Sequence, residues 1–127
     1  MTRAFKCSLV AGCFALFLSA ETAAAHHSYA MFDMTKTDTV EGTVKLFQWE
    51  NPHVYLWLYR TDGQGQQSLW AIEGASPNSL SRLGWDRRSA SPGEKITVQI
   101  HPLKDGRDGG FLISLTRPDG KVLSEQQ

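Results

Sequence analysis

The chain is poor in cysteine, has no long apolar run and carries no excess of either charge. Both of its cysteines, Cys7 and Cys13, fall in the first 13 residues. The longest apolar stretch, Cys7 to Ala20, is about 14 residues, short of the roughly 20 that a spanning helix needs. Thirteen basic residues balance thirteen acidic ones, and no single-sign block occurs. That balance argues against nucleic-acid binding, which usually shows a basic face or stripe. Carboxylates are scattered, and spacing singles out no pair. No serine occupies a nucleophile elbow, because "GASPN" departs from G-x-S-x-G. The glycine-rich "KDGRDGG" joins two strands and opens no helix, so a phosphate cradle lacks its usual support. No enzymatic activity is expected.

What is present starts with an export signal. Arg3 and Lys6 give a positive start, Cys7 to Ala20 an apolar segment, and Ala23-Ala24-Ala25 a small-residue cleavage site. The reading is a signal peptide over 1–25, with an uncleaved anchor as the weaker alternative. "VAGC" ending at Cys13 looks like a lipoprotein box, yet cutting there leaves almost no apolar segment ahead of it. Cleavage after Ala25 leaves 102 residues beginning at His26, with 11 basic and 12 acidic side chains. Cleavage one residue earlier starts the chain at Ala25. Either cut removes both cysteines, which excludes thiol catalysis and Cys-ligated zinc from the mature chain. The expected location is periplasmic or secreted, with no membrane span in the mature chain.

Residues 26–39 show no period and read as an extended N-terminal arm. Then "VEGTVKLFQW" alternates, with Val40, Val44 and Leu46 on one face and Gly42 a candidate bulge. "ENP" breaks the strand, since proline cannot donate to a ladder. "HVYLWLYR", "SLWAIE", "ITVQIH" and "FLISLT" are four further strands. Between the third and fourth strands, Ser76 is a good N-cap, Pro77 suits the first helical position and Gly84 the C-terminal one. Residues 118–127 read as turn and tail. The fold expected is all-β: a small five-stranded antiparallel OB-like barrel over 40–117, with one short helix between strands 3 and 4. An open β-sandwich has the same elements.

Cleavage after Ala25 changes the chemistry of His26. Its α-amine and imidazole belong to one residue and can chelate one metal. The amine's pKa of about 7.7–8 lets a metal displace its proton near neutral pH. His27 adds a second imidazole. His53, just after "ENP", can project from the barrel rim. Amine and imidazole nitrogens suit Cu(II), where divalent affinity peaks. A start at Ala25 would place His27 third from the amine, which also binds Cu(II). The expected metal site is therefore His26, His27 and His53, with copper as the ion. The alternatives are a plain polar start and a strand-end histidine bonded to a carbonyl. His101 faces outward by parity, but measured along the first strand it lies on the order of 30 Å from His53. A second candidate site is aromatic: Trp49, Tyr55, Trp57 and Tyr59 could stack a small molecule or glycan, or meet another exported protein. Alternatively, the arm or tail buries that face.

"AHHSYAMFD", "VEGTV", "WENPHV", "GASPNSLSRLGW", "GEKITV" and "HPLKDG" together resemble a family of small exported bacterial proteins known only as a domain of unknown function. The resemblance spans nearly the whole mature chain. It implies a periplasmic or secreted single domain, and directs attention to His26, His27, Ser28, Asn51, Pro52, His53 and Ser76-Pro77-Asn78. It implies no activity. Two functions follow as expectations: a non-enzymatic copper carrier or buffer, or an OB-like domain that binds a ligand or partner through its aromatic face.

Overall fold

The computed structural model describes residues 29–125. Five strands close a ring: β1 Asp38–Gln48, β2 Tyr55–Thr61, β3 Gln67–Glu73, β4 Lys95–Pro102 and β5 Gly109–Thr116. A single short helix, α1 Pro77–Arg82, lies between β3 and β4, where the sequence predicts it. Neighbours run in the order β3-β2-β1-β4-β5, all antiparallel, and β5 returns to β3. That closing contact is parallel and short: Ala71, Ile72 and Glu73 stand against Gly109, Gly110 and Phe111. The fold is therefore the expected OB-like barrel, closed by one parallel contact.

The two glycines make the closure possible. A Cβ on Gly109 would run into the Ala71 carbonyl, and one on Gly110 would lie 2.5 Å from the carbonyl of His101. Both fall in the glycine-rich stretch expected to be a turn, but they open β5 because only glycine lets it approach both neighbours this closely.

Alternation explains most of the core. Leu56, Leu58, Ile96, Val98 and Ile100 point inward and are buried, joined by Leu112 and Leu115. Each such side chain stabilises the fold by about 1.5–3 kcal/mol. In β1 the alternation breaks. Val40 and Val44 face inward as expected, but the register slips between Val44 and Leu46. The irregularity is there and not at Gly42. It turns Phe47 into the core and leaves Leu46 46% exposed. A bulge exchanges the faces of every residue beyond it.

The Ser76 hydroxyl accepts from the Ser79 amide at 3.2 Å and Pro77 occupies the first turn. Leu80 and, just beyond α1, Trp85 join the core. A helix of 6 residues is too short to persist alone, so this packing holds it. The Trp85 Nε1–H donates to the Ser124 carbonyl at 3.0 Å. Ser124 ends β6, Val122–Ser124, which pairs with β5 outside the ring. The stretch expected to be turn and tail thus supplies a sixth strand.

The arm residues ahead of β1 are docked as well. Phe32 is buried, forms a bridge with Leu103 and meets Phe111 with ring centroids 5.5 Å apart. The Asp33 amide donates to the Pro102 carbonyl and the Lys104 amide to the Met31 carbonyl. No helix among the described residues is long and apolar enough to cross a membrane.

Candidate functional site

His26 and His27 lie outside the described residues; His53 does not. It precedes β2, and its Nδ1 lies 3.0 Å from the Gly74 carbonyl. A carbonyl only accepts, so Nδ1 carries the hydrogen and the lone pair of the neutral ring sits on Nε2. The same Nδ1 is 3.5 Å from Glu73 Oε1. The chain here is tied on both sides, because the Gly74 amide donates to the Val54 carbonyl and the Val54 amide to that of Ala75. His53 is thus a half-exposed imidazole of fixed orientation beside a carboxylate.

Two further groups complete this polar corner: Tyr55, which the sequence offers only as an aromatic candidate, and Glu125, which spacing could not have found. The Tyr55 hydroxyl bonds Glu73; burial, followed by the Glu73 charge and that bond, pushes its pKa up. Glu125 arrives from the far end of the chain, and its Oε1 accepts from the Ala75 amide at 2.9 Å. Burial pushes its pKa up to about 7, an effect that the Ala75 N–H opposes and the Glu73 charge reinforces. Gly74 sits between the two carboxylates, and a Cβ there would come within 2.5 Å of Glu125 Oε1 and 2.7 Å of Val54 Cγ2. Glu73 and Glu125 are brought together by β6 pairing with β5, and a three-residue strand leaves no periodic signal. Among the described residues, no group of three or more His, Cys, Asp or Glu side chains is arranged to hold a metal ion.

His101 faces outward from the strand, as its parity predicts, yet it is buried because the arm crosses it. Its Nδ1 donates to the Lys36 carbonyl at 2.7 Å. Of the two barrel histidines, His101 is the one that bonds the arm. Closure also revises the expected separation from His53. His101 stands in register with Phe111, Phe111 with Glu73, and Glu73 with Tyr55. That row crosses three strand spacings to reach Tyr55, about 14 Å at about 4.8 Å each, and His53 lies two residues further along the chain. The expected 30 Å follows β1 along a flat sheet, whereas the ring supplies a shorter path. Phe32, docked on Phe111, therefore sits one strand from the Glu73 that contacts His53.

The aromatic candidates separate. Tyr55 and Trp57 stack with centroids 6.2 Å apart, half-exposed on the outer face of β2. Tyr59 shares that face, with Lys45 Nζ 5.6 Å above its ring. Leu46 pairs with Trp57 and Leu69 with Tyr59, and both leucines are exposed. Trp49 does not belong to this face. It meets Phe47 edge-on at 5.6 Å and packs against the core, because the β1 bulge has shifted its parity.

Residues 15–112 match a family of unknown function (DUF6152). The chain belongs to that family. The matched segment contains His53 and Glu73 but not Glu125. No curated protein and no solved structure matches the chain.

Proposed function

We propose that this is a small exported protein that carries or buffers copper. The mature amine, His26 and His27 supply part of the donor set, and His53 is the imidazole fixed by the barrel. The observation that supports this reading is the His53 hydrogen bond. Metal-binding histidines are typically oriented by giving their other ring N–H to a carbonyl or carboxylate. His53 gives Nδ1–H to the Gly74 carbonyl with Glu73 alongside, which leaves Nε2 as the donor. Nitrogen donors of this kind favour Cu(II) among divalent ions. His101 also gives its Nδ1–H to a carbonyl, but it is buried, whereas the His53 ring is 30% exposed, so His53 is the imidazole assigned to the donor set. Copper is cargo here, and no catalytic step is assigned.

The test is a Cu(II) titration of protein with an authentic mature start. A residue or tag left ahead of His26 should weaken binding at least about tenfold. Equal affinity with and without the extension would remove the amine from the site.

A second reading keeps one specific observation. The outer face carries Tyr55 and Trp57 stacked 6.2 Å apart beside the exposed Leu46 and Leu69, while Met31 and Asp33 bond the β4 end and β6 pairs with β5. That face would suit a flat small ligand, a glycan or another exported protein. Trp57→Ala would abolish such binding and leave copper affinity intact.

A further inference from the structure

We propose that the open half of the β3 edge binds a short peptide in extended form, with Arg60 and Asp108 holding its charged ends. The inference is independent of the copper reading and of the outer aromatic face.

The edge follows from the hydrogen-bond parity of the β2–β3 hairpin. The Asp62 amide donates to the Gln66 carbonyl at 2.9 Å, and the register is unbroken from Thr61 opposite Gln67 to Tyr55 opposite Glu73. Backbone bonds of an antiparallel pair alternate, so Ser68, Trp70 and Ile72 direct theirs at β2 while Gln67, Leu69 and Ala71 face away. Ala71 agrees with this parity, because its amide donates to the Asp108 carbonyl at 3.3 Å where β5 closes the ring. That closure covers only Ala71 to Glu73. The N–H and C=O of Gln67 and Leu69 are therefore left open, and none of the four has a partner among the described residues. Open edges are ordinarily blunted by lysine, proline or a bulge. Gln67-Ser68-Leu69-Trp70 carries none of these.

A cleft of about 360 Å³ lies beside this edge, with Arg60, Gln67, Trp70 and Asp108 in its wall. The Arg60 guanidinium sits 5.1 Å above the Trp70 ring, and Trp70 Nε1–H donates to Ser68 Oγ at 3.1 Å. Stacking orients the guanidinium without using its N–H donors. The half-exposed Arg60 side chain makes no hydrogen bond or ion pair among the described residues. Asp62 also lines the cleft, but its Oδ1 already accepts from the Gln64 and Gln66 amides at 2.9 and 2.8 Å. The Asp108 carboxylate is exposed, on backbone that the Ala71 bond fixes.

One uncommitted cation and one uncommitted anion thus flank a run of main-chain donors and acceptors. A peptide zwitterion is the complement of that set. Its amides extend the sheet at Gln67 and Leu69, its carboxylate meets Arg60 and its ammonium meets Asp108. The peptide must be short. The hairpin turn ends the edge at Gln67 and β5 occupies it from Ala71, which leaves four residues, about 13 Å of strand.

The experiment titrates trialanine into the full mature chain, read by calorimetry and by amide hydrogen exchange. In the free protein, the Gln67 and Leu69 amides should exchange fast and those of Ser68 and Trp70 slowly. Saturating trialanine should slow Gln67 and Leu69 at least about tenfold. Free alanine, which lacks amides, and N-acetyl-trialanine amide, which lacks both charges, should each bind at least about tenfold more weakly. Arg60→Gln and Asp108→Asn, each verified as folded by circular dichroism, should each weaken trialanine binding at least about fivefold. No saturable binding of trialanine would overturn the proposal. Equal affinity for alanine or the blocked peptide, parental affinity in either variant, or unchanged exchange at Gln67 and Leu69 would overturn it as well.

Discussion

His101 Nδ1 donates a 2.7 Å hydrogen bond to the carbonyl of Lys36, 65 residues earlier in the chain. The bond resolves two problems at once. A buried imidazole needs a partner, and a chain entering β1 needs its carbonyl satisfied where it leaves water. With Phe32 on Phe111, it ties residues 32–36 to the barrel. His101→Ala should therefore cost about 1–3 kcal/mol through the orphaned carbonyl. Amide exchange at Asp33 and Lys104 should speed up, as measured by hydrogen exchange. Unchanged protection there would mean that the bond does not hold the arm.

Phe32→Ala should be more severe, because it removes a buried ring and leaves a cavity over Phe111. A loss of about 3–5 kcal/mol is expected from urea unfolding. A loss below about 1 kcal/mol would indicate that the arm contributes little to the folded barrel.

The strands were legible because their apolar residues alternate, and the helix because Ser76, Pro77 and Gly84 mark its ends. The features that shape the candidate site were harder to read. A one-residue bulge in β1 reversed the faces of Leu46 and Phe47 and separated Trp49 from the other aromatics. Three residues of β6 carry no period, so Glu125 could not be placed beside Gly74. His101 had the right parity but was covered by an arm with no pattern of its own. Its distance from His53 was misjudged because strand length describes a flat sheet, and a closed ring has a second path.

Glu125 makes stability depend on pH in a defined direction. Its folded-state pKa, about 7, lies above the ordinary 4.5. The folded state thus binds the proton more tightly than the unfolded chain does. The associated stability is fully present below about pH 4.5 and is lost as pH rises through about 7, on the order of 3 kcal/mol. Glu125→Gln keeps an acceptor for the Ala75 amide and should remove this part of the slope. Parallel stability curves for parent and variant between pH 5 and 8 would show that Glu125 titrates normally.

Ser76→Ala removes the N-cap of α1 and should cost about 1 kcal/mol. Copper affinity should be unchanged within error, because the helix start is structural. A large affinity loss would bring the "GASPN" loop into the binding site.

The copper proposal stands or falls on His53 as the barrel's fixed metal ligand. Its most direct test compares the Cu(II) affinity of His53→Ala with that of the parent, both with authentic N-termini and both verified as folded by circular dichroism. His53→Ala should weaken binding by at least about tenfold, roughly 1.4 kcal/mol, while folded His101→Ala should bind nearly as the parent does. Parental affinity in His53→Ala would contradict the claim and leave any copper binding to the N-terminal residues alone.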